Sequence, residues 1–297
     1  LDLLPGDPED EYKATGQFKI SSMKTDRYTL VYDDKCPLCA AYTKLFVKTG
    51  ILGAAGRRSF SDVETTLFEK FDVDRGRNEI PLLDTQTGTV YYGIDALLEL
   101  LGQKMPWIKP IGRFGPLYWF LKKLYRFISY NRKVIVAVKC GRGRFDCSPA
   151  FSLRWRLLFL LVFLCLNTLA LFPVQQYVLA NSVFSGASPA YVQALHALLV
   201  GSNLLLAATL NWLRAMEYIG QVNVLAIIST ALLMLLAGFN KYVWSDPLLN
   251  NAALLLMLLF IGKEYIRRMT YAGTLRNLYV TGINIICITG FIFLLLR

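Results

Sequence analysis

The chain has 297 residues, 55% of them hydrophobic and only 18% charged, with a mean hydropathy of +0.41; this balance excludes an ordinary soluble protein. Most charges lie before Arg156 and long uncharged runs fill the remainder, so a soluble N-terminal part followed by a membrane part is expected. The net charge of +11 comes from Lys and Arg clustered beside the first hydrophobic run, where anionic lipid headgroups account for it better than nucleic acid does.

In chain order, residues 1–25 read as a polar lead without the apolar core of a cleavable signal peptide. Tyr28-Thr29-Leu30-Val31-Tyr32 is rich in β-branched and aromatic residues and predicts a short buried strand. From Cys36 to about Lys48 the apolar positions Leu38, Tyr42, Leu45 and Phe46 recur at helical spacing, and Gly50 supplies a stop. A weaker strand is expected near Arg57 to Phe60, then a helix near Ser61 to Phe71. Strands around Pro81 to Asp84 and Thr89 to Tyr92 flank Thr87-Gly88 and predict a hairpin. A helix from Asp95 to Leu101 ends at Gly102. The resulting order β, α, β, α, β, β, α suits a small mixed sheet covered by helices.

Between Gly115 and Lys133 lies an aromatic, basic stretch with no acidic residue. It predicts a helix lying on the membrane surface or packing back on the domain. Apolar runs near 155–173, 190–210, 220–238, 248–262 and 278–296 predict five spans. The expected division is a polar lead at 1–25, a dithiol domain at 26–104, a basic amphipathic segment at 105–150, and a membrane bundle at 151–297.

Basic residues before the first span and after the fourth contrast with the uncharged stretch from Val174 to Tyr191. The positive-inside rule then sets the N-terminal domain in the cytoplasm and the C-terminus outside, in a multi-pass protein of a bacterial inner membrane.

Six cysteines in a chain this long do not make a secreted disulfide scaffold, yet Cys36 and Cys39 are close enough to act as a unit. In a C-x-x-C turn that opens a helix, the first sulfur meets unpaired backbone N–H groups and the positive end of the helix dipole, which favour a thiolate. Cys36 is therefore the expected nucleophile, and Cys39, one turn on, the residue that resolves a mixed disulfide. Pro37 fits the first helical turn, where its missing N–H costs nothing. Asp33 is read either as the acceptor of the Cys39 proton or as an exposed turn residue at the strand end. Pro81 stands where a cis proline would flank the dithiol, although a strand-initial trans proline is the plainer reading.

Cys140 and Cys147 could form a second thiol pair, activated by neighbouring Arg residues, or remain ordinary reduced cysteines. Together with Cys36 and Cys39 they could also hold zinc, but Gly141 to Asp146 separate them, whereas zinc ligand pairs usually sit about two to four residues apart. No metal is therefore assigned, and no cofactor beyond the dithiol. His196, the one histidine, is a candidate for a proton, quinone or substrate role in the second span, against a plain contact between helices. Single Cys165 and Cys287 read as small buried hydrophobes. Arg214 with Glu217, and Lys263 with Glu264, read as solvated pairs.

The run Tyr32-Asp33-Asp34-Lys35-Cys36-Pro37-Leu38-Cys39 resembles the signature of the DCC family of thiol-disulfide oxidoreductases, with Asp33, Cys36 and Cys39 matching position for position. Val90 to Leu97, Leu124 to Arg132 and Cys147 resemble its later blocks, so the resemblance covers about residues 28–149. It implies a thioredoxin-like fold and dithiol-disulfide exchange. The expected whole is an α/β thioredoxin-like domain followed by an all-α transmembrane bundle, exchanging with a protein or small-molecule thiol or disulfide. Two alternatives stand beside it: a redox-regulated transport or small-molecule-binding protein, and a zinc-stabilised adaptor.

Overall fold

The computed structural model describes residues 27–61, 69–138 and 149–296. Its N-terminal part is a four-stranded mixed sheet of β1 (Tyr28–Tyr32), β2 (Arg57–Ser59), β3 (Pro81–Asp84) and β4 (Val90–Tyr92), in the order β2-β1-β3-β4. β1 runs parallel to β2, with Leu30 opposite Arg57. It runs antiparallel to β3, and β3 to β4, so the hairpin around Gly88 forms as predicted. The helices are α1 (Pro37–Lys48), α2 (Val73–Asn78), α3 (Ile94–Leu101), α4 (Ile108–Gly112) and α5 (Gly115–Val136).

The period-2 alternation of β1 explains the layering. Tyr28, Leu30 and Tyr32 enter a core with Cys36, Cys39, Leu52, Ile80, Leu82, Ala96 and Leu100. Val31 points the other way, to Phe60 and Phe71. Both faces of β1 are covered, which is why it reads as a continuous apolar run rather than an alternating one.

Two sequence readings of this part change. The helix expected at 61–71 falls largely on residues 62–68, outside the described set; 69–71 are not helical, and the described helix is α2, started by the Asp72 carboxylate accepting from Arg75 N–H. The Ile80–Pro81 peptide is trans. Pro81 opens β3 at a position where its missing N–H disrupts little of the ladder, so the strand-initial reading holds.

Five further helices are long and apolar enough to cross a membrane: α6 (Leu153–Tyr177), α7 (Pro189–Ala208), α8 (Trp212–Tyr242), α9 (Pro247–Ala272) and α10 (Leu278–Leu295). Polar side chains tie them at both ends. Tyr218 donates to Asn203 Oδ1 (2.7 Å), and Asn284 Nδ2 donates to the hydroxyls of Tyr218 (2.9 Å) and Tyr265 (3.1 Å). At the opposite end Asn240 donates to Asn250 (2.8 Å), and Asn250 to the carbonyls of Val178 and Asn181.

α5 joins the two parts. Val134 packs with Phe159 of α6 and Val224 of α8, and Asn131 Nδ2 donates to the Trp155 carbonyl (3.1 Å). Gly220 lets α8 approach, since a Cβ there would press on Val134 and the Arg156 guanidinium.

Gly56 is the tightest glycine in the sheet domain: its carbonyl accepts from Leu30 N–H (2.7 Å), and an added Cβ would run into the rigid backbone carbonyl of Tyr28. Gly56→Ala is expected to destabilise the dithiol domain by about 1–3 kcal/mol, measured as a lower midpoint of its melting transition by near-ultraviolet circular dichroism of the full chain in detergent.

Candidate dithiol site

β1 ends at Tyr32, and Asp33 turns the chain: its carboxylate accepts from Lys35 N–H (3.1 Å), and its carbonyl from Cys36 N–H (3.3 Å). That turn delivers Cys36 as the residue immediately before α1, with Pro37 in the first helical position. Both cysteines are free thiols and both are buried. Of the two, Cys36 lines the adjoining shallow cleft, which is bounded by Asp33, Lys35, Arg132, Lys133, Val136, Val138 and Pro149. Cys39 sits behind it, in the core.

The Cys36 thiol is pulled down to about 6, chiefly by the Cys39 thiol, and further by the Cys39 backbone N–H and the Arg132 charge; burial and the Asp33 carboxylate oppose this. The Cys39 thiol is pushed up by its hydrogen bond with the Cys36 sulfur and by burial. One sulfur is thus prepared to ionise while its neighbour keeps its proton.

Asp33 is not the exposed turn residue of the plainer reading. Its carboxylate is 4% exposed and lies 3.3 Å from the Arg132 guanidinium. Burial pushes its pKa up, and Arg132 and the Lys35 N–H pull against that rise. Asp33 therefore closes the turn and also holds half of a buried ion pair.

Arg132, which ends the block Leu124 to Arg132 but receives no role from the sequence, organises the site. One guanidinium nitrogen contacts Cys39 Sγ (3.9 Å); another reaches both the Asp33 carboxylate and the Arg77 carbonyl (2.9 Å). Tyr125, one face of α5 away, donates no charge but accepts from Ile80 N–H (2.9 Å), fixing the residue before Pro81. Burial holds the hydroxyls of Tyr125 and Tyr42 above the ordinary tyrosine range, Tyr125 at about 12. Arg132 is one of eight basic residues between Lys104 and Lys133, so charge pattern alone could not separate it from the others.

Elsewhere, Cys140 and Cys147 lie outside the described residues. His196 is half-buried on α7, two turns from Asn203, and takes no part in the Asn203–Tyr218–Asn284 hydrogen bonds. Cys165 is exposed on the apolar surface of α6 rather than buried. Glu264 pairs with Arg267 (2.6 Å) and Arg268 (2.8 Å), not with Lys263, because the i+3 and i+4 positions share its face. Glu217 accepts from Gln221 (2.8 Å) and makes no ion pair with Arg214. Among the described residues no group of three or more His, Cys, Asp or Glu side chains could hold a metal ion.

Residues 30–138 match the family described as DCC1-like thiol-disulfide oxidoreductase. This part of the chain is a DCC1-like domain. The match runs through α5 as far as Val138, so it takes in Arg132 as well as the Cys36–Cys39 turn. No curated protein and no solved structure matches the chain.

Iodoacetamide alkylation of Cys36 in the full-length reduced protein is expected to rise with pH through an inflection near 6, because a lowered thiol pKa gives thiolate above that pH. Arg132→Met should move the inflection upward by roughly one pH unit or more, and Arg132→Lys by less, since it keeps the positive charge. An unchanged profile in Arg132→Met would remove Arg132 from the account of the thiolate.

Proposed function

We propose that the chain is a membrane-anchored thiol-disulfide oxidoreductase that exchanges electrons with a protein or small-molecule disulfide. The observation that carries this reading is the division of labour between the sulfurs: Cys36, its pKa lowered to about 6, borders the cleft, and Cys39 stands behind it with its proton retained.

In the reductive direction, the Cys36 thiolate attacks one sulfur of the substrate disulfide. A Cys36–substrate bond forms and the other substrate sulfur leaves as a thiolate. Cys39 then gives up its proton and attacks Cys36 Sγ, releasing the second substrate thiolate and leaving a Cys36–Cys39 disulfide. Two electrons pass to the substrate, and a cellular dithiol resets the site. Asp33, buried with a raised pKa beside the Arg132 guanidinium that touches Cys39, is suited to take the Cys39 proton. The dithiol itself is the redox group.

The cytoplasmic side is favoured by charge. Arg267 and Arg268 of α9 meet α5 at the dithiol end of the bundle, whereas Lys241 in the last turn of α8 and Asp246 at the start of α9 are the charges at that connection on the other end. That bias fits a dithiol domain inside and a C-terminus outside. Nucleic acid is not a proposed partner, because Arg126, Arg132, Arg267 and Arg268 are engaged with Glu79, Asp33, Glu264 and backbone carbonyls.

A second reading, in which the dithiol regulates the bundle, is favoured by one observation. Arg267 and Arg268 donate to the four carbonyls from Val134 to Ala137, directly after Arg132. A change at the dithiol therefore has a short route to α9, through the contacts of Arg132, the backbone of α5 and these hydrogen bonds.

Cys39→Ser in the full-length protein is expected to accumulate a mixed disulfide with its substrate, while Cys36→Ser accumulates none. Non-reducing electrophoresis and mass spectrometry of the trapped adduct read this directly. Failure of Cys39→Ser to trap any thiol compound, with the native protein unable to reduce a test disulfide, would sink the exchange reading; stoichiometric zinc lost on Cys36→Ser would replace it with the adaptor.

A further inference from the structure

Outside the five apolar helices, the segment from Trp107 to Ile128 exposes large apolar side chains that none of the described residues of the sheet domain covers. Trp107, Ile111 and Phe114 are 60%, 53% and 65% exposed, and Phe120, Leu124 and Ile128 are 54%, 39% and 41% exposed. The last three recur every fourth residue and make one stripe along α5. A different face of the same helix is fully used: Arg126 pairs with Glu79 (3.0 Å), Tyr125 bonds Ile80 N–H, Ser129 bonds the Asn78 carbonyl, and Arg132 meets Asp33.

The position of this stripe along the bundle can be read from its neighbour. Phe127 packs on Phe159 and stacks on Phe163 of α6, with ring centroids 5.7 Å and 6.2 Å apart. Those two rings lie three and seven residues beyond Arg156, the last charge before the uncharged run of α6. At a rise of 1.5 Å per residue they sit about 5 to 10 Å past that charge, which is the depth at which an interfacial helix buries its apolar face, about 5–10 Å into the headgroup and acyl boundary.

Charge agrees with this placement. From Lys104 to Lys133 the chain carries no Asp or Glu; of its eight Lys and Arg residues, Lys109 and Arg113 meet Glu99, Arg126 meets Glu79 and Arg132 meets Asp33, while Lys104, Lys122, Lys123 and Lys133 make no ion pair among the described residues. Lys122 and Lys123 lie over the rings of Tyr118 (5.3 Å) and Trp119 (5.7 Å), pairing an aromatic ring with an ammonium group as interfacial segments do.

From these observations we infer that α4 and α5 present a lipid-docking surface, immersed in the anionic headgroup layer of the same bilayer that α6 to α10 cross. On α6, which packs against α5 through Phe127, Leu157 and Leu161 are exposed as well. Because Arg132 and Lys133 of this helix wall the dithiol cleft, the docked surface holds the opening beside Cys36 at the membrane plane, within reach of amphiphilic or membrane-bound substrates. The inference stands on the placement of α5 and does not require the exchange chemistry.

The test uses the full-length protein in nanodiscs with Trp119 as the reporter, its emission taken as the difference between the native chain and Trp119→Phe. Trp119 is 64% exposed in the protein, so the substitution should leave the fold intact. Lipids brominated in the upper acyl chain are expected to quench this emission by about half, and aqueous iodide to quench it little. Quenching by iodide with none by brominated lipid overturns the proposal. In bilayers containing anionic lipid the brominated quenching should be about twofold stronger than in zwitterionic ones, and Lys122→Glu with Lys123→Glu should abolish that difference. Equal quenching of the native protein in both bilayers overturns the assignment to an anionic surface.

Discussion

Burying a guanidinium is costly unless its charge is balanced and its donors are met, and removing one partner of such a pair usually costs several kcal/mol. Arg132 is 8% exposed, and its partners come from three separate stretches of chain: Asp33 at the end of β1, Cys39 in α1, and the Arg77 carbonyl in α2. Meeting its demands fixes α5 against the sheet. It also stations a permanent positive charge beside two sulfurs of which one favours the thiolate. The same side chain therefore holds the architecture and sets the charge around the sulfurs.

From that anchor the coupling to the membrane part follows along a few residues of α5. A helix end leaves its last carbonyls without partners, and here those from Val134 to Ala137 are satisfied by Arg267 and Arg268 of α9. Arg268 is itself fully buried, balanced by Glu264 and bonded to Gln221 of α8. A continuous set of charged and polar contacts thus runs from the dithiol into two apolar helices. Such a network gives the domain a defined seat on the bundle rather than a flexible tether.

The interior of the bundle follows a different rule. In a medium as apolar as the side chains themselves, hydrogen bonds between helices supply part of the specificity that hydrophobic burial cannot. Asn203, Tyr218, Asn284 and Tyr265 satisfy one another near the dithiol end, as Asn240 and Asn250 do with backbone carbonyls at the other. His196 takes part in neither of these two sets.

What the sequence by itself determined was local. The β-branched strand at Tyr28–Tyr32, the Cys36-Pro37-Leu38-Cys39 turn into a helix, the Gly88 hairpin and five long apolar runs are all set by short-range spacing and composition, and each is present in the structure. What only the tertiary structure decided depends on residues far apart in the chain. Arg132 lies 93 positions from Cys39, and its basic neighbours hide it; the seat of the last turn of α5 on Arg267 and Arg268 of α9 likewise joins residues far apart in the chain. A short motif can show that a thiolate is favoured, because the helix end that favours it is local. Which side chain balances the buried charges around that thiolate is a matter of packing, and no spacing in the sequence encodes it.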